Sequence, residues 1–336
     1  MSLNSAVAFY WSSSPGNAHG SILQDGTSWD TSGWIISPAG YSLPISFQIC
    51  DGCGLIFSSE YFSVEFAEYF YTNLYNRFKG ERTANEFFEH RTSESAYCWI
   101  RFQYIKSNLG KDFYDIFTVV EPGCNDGCNL FPFYHDGKEV YGCDFDEKRM
   151  EPGRNLGMNI SRGGINVLVD LDLQADLIIL SHVIAHIPNL DDFLHKVRNI
   201  LKPSGWVYIE SPGYKWQVQT RKNQRKISGY ESHNDFLSFL QFEFCYVFEL
   251  ETLKLALRKN GFNFYKGDEV IRSIFQLDSK VSKTKISSLS NRGTEIFNYL
   301  KYSWHIKNLL PEKLGGFKIS LENSSTSDVA NFHKSS

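Results

Sequence analysis

VVEPGCNDGCNL, residues 119–130, decides the fold. Its first residues close an apolar run, IFTVVE (116–121), and the rest is a turn carrying Gly123 and Gly127. A strand that enters a glycine-rich turn and then a helix is a nucleotide-binding arrangement. The glycines let the backbone approach a ligand, which sits at the carboxyl ends of the strands. The dinucleotide pattern G-x-G-x-x-G begun at Gly123 requires glycine at 125 and 128, where the chain has Asn125 and Cys128. A P-loop fits worse, because no Gly-Lys-Ser/Thr follows. What remains is an acid, Glu121, followed by Gly123 and Gly127. A second acid, Asp144, stands at the end of the next apolar run, where its carboxylate can accept hydrogen bonds from two ribose hydroxyls. Asn125 suits a turn position with positive φ, which Asn tolerates better than most residues.

Outward from this turn, short apolar runs recur: KEVYGCDFD (138–146), INVLVDLD (165–172), ADLIILSHV (175–183) and GWVYIESP (205–212). Each reads as a strand. Between the last two, LDDFLHKVRNIL (190–201) has apolar residues at 190, 193, 194, 197 and 201, the face of an amphipathic helix, and Lys202-Pro203-Ser204-Gly205 stops it. FELETLKLALRKNGF (248–262) predicts a helix capped at Gly261, and VIRSIFQL (270–277) a last strand. Nearly continuous apolar strands alternating with helices predict an α/β fold whose parallel sheet is covered on both faces.

With 336 residues the chain has room for more than one domain. Residues 1–80 predict a small α+β module: short strands, then ISFQICDGCGLIF (45–57) as a hairpin turning at Cys50–Cys53, then a helix over 60–80. Residues 81–280 hold the nucleoside-binding domain, its helical start at 85–109, with 213–248 inserted as a cap over the substrate. Residues 281–336 form a polar tail. Aromatics at 15% point to large buried clusters, and a net charge of −4 argues against nucleic-acid partners. No run approaches a membrane span, and the N-terminus lacks the basic region of a signal peptide, so a cytoplasmic protein with reduced cysteines is expected.

Glu121-Pro-Gly-Cys-Asn-Asp-Gly127, Tyr141-Gly-Cys-Asp144, the run 175–183 and the run 201–212 resemble, in order and spacing, the class I S-adenosylmethionine-dependent methyltransferases. The resemblance covers about 115–280 and implies a Rossmann-like, seven-stranded doubly wound sheet. The Asn-Asp-Gly form of the turn is similar to the sugar C-methyltransferases. The resemblance implies that Gly123, Asn125 and Gly127 contact the methionine part and ribose, beside Glu121. It further implies that Asp144 holds the ribose hydroxyls and Phe145 packs on adenine. Asp170 and Leu171 would flank the adenine, and Ser181 and His182 would close the pocket near the methyl group. Pro122 departs from the family, which has an aliphatic residue there.

Cys50 and Cys53 have the spacing of half a zinc site. The resembled family carries an N-terminal zinc module with two such pairs. Here no cysteine precedes residue 50 and His19 is the only upstream histidine, so a metal-free remnant is the expectation. Cys124, Cys128 and Cys143 read as small buried residues. His186, four residues after His182, reads as structural, since the family's Glu between them is Ala185.

Methylating a hydroxyl or an enolisable carbon needs a base. In the sugar C-methyltransferases that base is implied to be a His after a Glu in the insertion. Here Glu243 is kept and the next residue is Phe244. Three readings stay open: His182 or His233 as base, Glu243 with a carboxyl raised by its aromatic surroundings, or a silent binder of the cofactor. The implied acceptor is a sugar, nucleotide-sugar or related small polar metabolite, with O- or N-methylation of another small molecule as the alternative. The run RKNQRK (221–226) is either a phosphate contact or a solvated loop.

Overall fold

The computed structural model describes residues 6–10, 21–22, 28–29, 35–36, 46–50, 52–58, 61, 63–74, 83–215, 243–278, 292–293, 295–296 and 318–322. His19, His233 and the basic run 221–226 lie outside them, as does most of the insertion and of the tail. The chain divides into two compact units. One comprises Met1–Tyr61, Pro212–Leu255 and Ile286–Ser336, and the other Phe62–Ser211 and Ala256–Lys285. Residues 62–80 thus go with the seven-stranded unit, while the insertion and the tail from Ile286 onward go with the N-terminal segment.

In the first unit, β1 (Ala6–Tyr10) lies between β5 (Ser46–Cys50) and a C-terminal strand, Lys318–Glu322. Strands β2 (Ser21–Ile22), β3 (Ser28–Trp29) and β4 (Ile35–Ile36) form a separate antiparallel sheet. Strand β5 pairs with β6 (Ile56–Ser58) as the expected hairpin. At its turn the Gly54 N–H donates to the Cys50 carbonyl at 2.7 Å and the Cys50 N–H to the Leu55 carbonyl at 2.9 Å. Part of the polar tail belongs to this unit. Arg292 donates to buried Glu249 at 2.7 Å, Lys215 pairs with the same carboxylate, and Ile296 is buried against Gly54.

The second unit starts with α1 (Val64–Tyr69), continued by a π-helical turn, Phe70–Leu74. Then come α2 (Ala84–Thr92), α3 (Tyr97–Leu109) and a 3₁₀ turn. Helix α2 starts at Thr83, whose hydroxyl accepts from the Glu86 N–H while the Glu86 carboxylate accepts from the Thr83 N–H, a capping box. Next follow β7 (Thr118–Pro122), α4 (Phe131–His135), β8 (Glu139–Asp144), α5 (Glu147–Asn155), β9 (Asn159–Arg162), α6 (Asn166–Val169), β10 (Ala175–Ser181), α7 (Leu190–Ile200) and β11 (Leu201–Glu210). After the short β12 (Tyr246–Val247) of the first unit and the helix Leu250–Lys259, strands β13 (Phe262–Gly267) and β14 (Arg272–Leu277) complete the sheet.

The sheet has seven strands in the order β13-β14-β11-β10-β7-β8-β9. Strands β7 to β11 run parallel to one another, β14 is antiparallel to β11, and β13 is antiparallel to β14. This is the Rossmann-like sheet expected. On one face Phe102, Phe113 and Phe133 pack edge to face, with centroids 5.4 and 5.0 Å from Phe102, which accounts for part of the aromatic excess. Helix α7 buries Leu190, Phe193, Leu194 and Val197, four of the five positions its periodicity marked; Leu201 is already strand.

The third strand is a correction. INVLVDLD (165–172) was expected to be strand, but β9 is Asn159–Arg162 and the apolar run holds the short helix α6. Gly163 takes φ 131 and turns the chain after Arg162, and a Cβ there would lie 2.8 Å from Val167. An apolar run of five carries no periodicity that separates helix from strand.

Candidate functional site

The chain leaves β7 and passes to β8 and β9 on one side, while β10 lies on the other side of β7. Such a switch point opens a crevice at the carboxyl ends of the strands. The turn after β7 is held by its backbone: the Gly123 and Cys124 N–H groups donate to the Cys143 carbonyl at 2.8 and 3.0 Å. Three of its residues have positive φ: Gly123 at 72°, Asn125 at 53° and Gly127 at 81°. A Cβ on Gly123 would stand 2.7 Å from Val183, in the loop after β10, so this glycine lets the two loops meet.

Asp144 ends β8. Its Oδ2 accepts from the Asn125 N–H at 2.8 Å and its Oδ1 from the Asp146 N–H at 3.1 Å. Burial holds its carboxyl above the usual range, against the pull of those N–H bonds. Each oxygen keeps a lone pair for a further donor. Phe145 follows, its ring edge 3.5 Å from where a Cβ on Gly164 would be. Asp170 and Leu171 come after α6 rather than after a strand, and Leu171 is exposed.

Glu121, the penultimate residue of β7, is fully buried. Its Oε1 accepts from Asn129 Nδ2 at 2.7 Å, and its Oε2 has no hydrogen-bond partner among the described residues. Burial pushes this carboxyl up to about 8, although the Asn129 bond and the charges of Arg101 and Arg91 draw it down. Asp126, also buried, accepts from Arg91 at 2.9 Å, and the same guanidinium reaches Asn125 Oδ1 at 3.3 Å.

Ser181 is the last residue of β10, buried, and in register with Glu210 of β11. His182 follows with φ 57°, a conformation that is strained for a residue with a Cβ. Its N–H donates to the Glu210 carbonyl at 2.7 Å, and its Nε2 lies 3.5 Å from Glu210 Oε1. Arg101 of α3 grips the Glu210 carboxylate with two nitrogens, at 2.6 and 3.1 Å, and donates a third bond to Asn129 Oδ1 at 3.0 Å. Tyr208 also donates to Glu210, at 2.8 Å. Burial alone would raise the Glu210 carboxyl. The His182 and Arg101 hydrogen bonds and charges outweigh it and hold the group well below the usual carboxylate range. A continuous polar chain thus runs from His182 through Glu210, Arg101 and Asn129 to Glu121.

Nothing in the sequence reading singled out Glu210, Arg101 or Asn129. The usable signal was charge in an apolar context, a Glu closing the strand GWVYIE and an Arg inside WIRFQ. His186 accepts or donates at 3.2 Å with the Tyr71 hydroxyl. Glu243 belongs to the other unit, where burial pushes its carboxyl up to about 7. Cys124, Cys128 and Cys143 are buried, and burial pushes the Cys143 thiol up to about 12. At the knuckle, the bond that the Cys53 S–H donates to Cys50, together with burial, raises the Cys53 thiol. Among the described residues no three His, Cys, Asp or Glu side chains gather as a metal site. No helix among them is long and apolar enough to cross a membrane.

Known proteins resemble this arrangement. A methyltransferase from Archaeoglobus fulgidus, titled SAM-dependent, aligns over 71% of this chain and 93% of its own, with 18% identity and a TM-score of 0.39. The magnesium protoporphyrin IX methyltransferase of Synechocystis PCC 6803, solved with bound SAH, aligns over 64% and 98%, with 14% identity and a TM-score of 0.39. A ubiquinone biosynthesis O-methyltransferase of Chelativorans sp. (strain BNC1) is 23% identical over 128 residues, 33% of this chain and 49% of that relative. The chain therefore spans about half the length of that curated relative. Residues 64–266, more than half of the chain, match the family described as Methyltransferase domain, and the chain belongs to that family.

Proposed function

We propose that the protein transfers a methyl group from S-adenosylmethionine to a small polar acceptor. The observation that carries this reading is Asp144, at the tip of β8, bound to the Asn125 amide with lone pairs to spare. The residues fit the cofactor's chemistry. Asp144 would take the ribose hydroxyls, the turn Gly123–Gly127 the methionine part, and Phe145 an adenine face. The buried, unpartnered Oε2 of Glu121 suits a cationic ligand. When bound, S-adenosylmethionine supplies an electrophilic methyl carbon on a positively charged sulfur.

The chain's own residues must position the acceptor and take its proton. His182 is the base we favour. It follows Ser181 at the crevice, and its imidazole is about half exposed, so a proton it accepts can pass to solvent. The Phe at 244 leaves Glu243 without the His partner of the sugar C-methyltransferases. A sugar or nucleotide-sugar acceptor rests on the Asn-Asp-Gly turn. Oxygen methylation of another small molecule is the second reading, favoured by the name of the Chelativorans relative.

Calorimetry with S-adenosylmethionine and its demethylated product tests the first claim, and absence of heat with both ends it. Transfer of labelled methyl to a panel of sugars, nucleotide-sugars and phenols then separates the acceptors. Loss of turnover in His182→Ala, roughly 10²-fold or more, supports the base. Unchanged turnover passes the role to His233 or Glu243.

A further inference from the structure

Glu210 holds His182 twice. Its carbonyl accepts the His182 N–H at 2.7 Å, which fixes a backbone at φ 57°, and its carboxylate faces Nε2 of the ring at 3.5 Å. The carboxylate is itself immobile. Oε2 accepts from Arg101 Nε at 2.6 Å and from the Tyr208 hydroxyl at 2.8 Å, and Oε1 accepts from Arg101 Nη2 at 3.1 Å. A bidentate guanidinium on a buried carboxylate fixes its plane as well as its charge. Both strand ends agree, because Ser181 and Glu210 are register partners.

We propose that Glu210 is a positioning residue, which fixes the orientation and tautomer of His182 so that Nδ1 is its proton-accepting nitrogen. A carboxylate oxygen repels a ring nitrogen lone pair and attracts an N–H, so Nε2 carries the hydrogen and turns it toward Oε1, 3.5 Å away. Nδ1 is then left with its lone pair. When an acceptor's X–H bond gives its proton to Nδ1, X keeps the electron pair and the ring becomes imidazolium. Its positive charge stands beside the Glu210 carboxylate. Arg101 and Tyr208 are the other groups that face Glu210, and both donate to it. The device rests on the reading of His182 as base, but its test does not.

The test is nitrogen-resolved NMR of the full-length chain labelled with ¹⁵N-histidine, in alkaline buffer without ligand. His182 is assigned by its disappearance in His182→Asn, since Asn also tolerates positive φ. The expected wild-type signal is a single Nε2–H tautomer. Glu210→Gln should reverse it. The Gln carbonyl oxygen is claimed at the Oε2 position by two donors, Arg101 Nε and Tyr208, against the single Arg101 Nη2 at the Oε1 position, so the amide NH₂ faces His182 and donates to Nε2, leaving the hydrogen on Nδ1. A wild-type Nδ1–H tautomer or an even mixture overturns the proposal, whether or not the variant folds. So does an unchanged tautomer in a folded Glu210→Gln. Turnover of His182→Ala is read separately. If it is normal while the tautomer behaves as expected, the base assignment fails and the positioning by Glu210 stands.

Discussion

The backbone N–H of Asn125 donates to Oδ2 of Asp144 at 2.8 Å, so the residue that would take the ribose also anchors the turn that would hold the methionine part. Removing Asp144 therefore takes away two things at once. Asp144→Ala is expected to weaken binding of the demethylated cofactor at least 10-fold, since one hydrogen bond to a charged group is worth about 1.5–3 kcal/mol. Asp144→Asn keeps an acceptor for the Asn125 amide and should fall between the two. Titration calorimetry of both variants checks the order, and equal loss in both would contradict it.

The turn is tight at Gly123 and strained at Asn125. Gly123→Ala puts a Cβ 2.7 Å from Val183 on a backbone at φ 72°. A cost of about 1–3 kcal/mol in stability, with loss of cofactor binding, is expected. Asn125→Gly should be neutral or better in melting temperature, whereas Asn125→Val should be lower by about 1–2 kcal/mol at φ 53°. Thermal unfolding of the three variants is the measurement.

Glu121 gives the fold a pH dependence of definite sign. Its carboxyl is pushed from the ordinary 4.5 up to about 8 in the folded state. Between those values the folded chain keeps a proton that the unfolded chain has lost, so stability falls as pH rises. The contribution is complete below about 4.5 and lost as pH passes 8. Urea unfolding from pH 5 to 9 should show this slope, amounting to on the order of a few kcal/mol. In Glu121→Gln the slope should flatten, and a variant that keeps the full slope would place the titrating group elsewhere.

In the N-terminal unit, Arg292→Met leaves the buried Glu249 carboxylate with Lys215 as its remaining cationic partner among the described residues. A loss of about 2 kcal/mol in the unfolding free energy of that unit is expected. Glu249→Gln together with Arg292→Met and Lys215→Met should recover part of it, because neither the carboxylate nor either of its two cations is then left without its counter-charge.

The sequence was legible where hydrophobic period and turn chemistry agree. Strands β7, β8, β11 and β14 read directly, because each is an apolar run closed by Pro or Asp, while β10 read from its continuous ADLIIL and α7 from its helical period. Strand β9 was displaced because NISR, with one buried residue, looks polar while the helical INVLV next to it looks like strand. Strand β13 escaped because it is the outermost strand, mostly exposed, and begins right after the Gly261 cap. In the site, Glu121, Asn125 and Asp144 declared themselves by spacing. Arg101, Glu210 and Asn129 did not, because the bond between a mid-helix Arg and a strand-terminal Glu spans 109 positions and exists only after the sheet has formed.

The N-terminal unit is stitched from Met1–Tyr61, Pro212–Leu255 and Ile286–Ser336, and it encloses in sequence all of the other unit. During synthesis its first strands therefore leave the ribosome long before their partners exist. Strand β1 waits for Lys318–Glu322, and Gly54 waits for Ile296. The seven-stranded sheet has all its strands by Leu277 and can fold while the last segment is still being made. A chain truncated after Lys285 should thus present a finished seven-stranded half and a β1 edge without its last partner, the form in which chaperones would meet it.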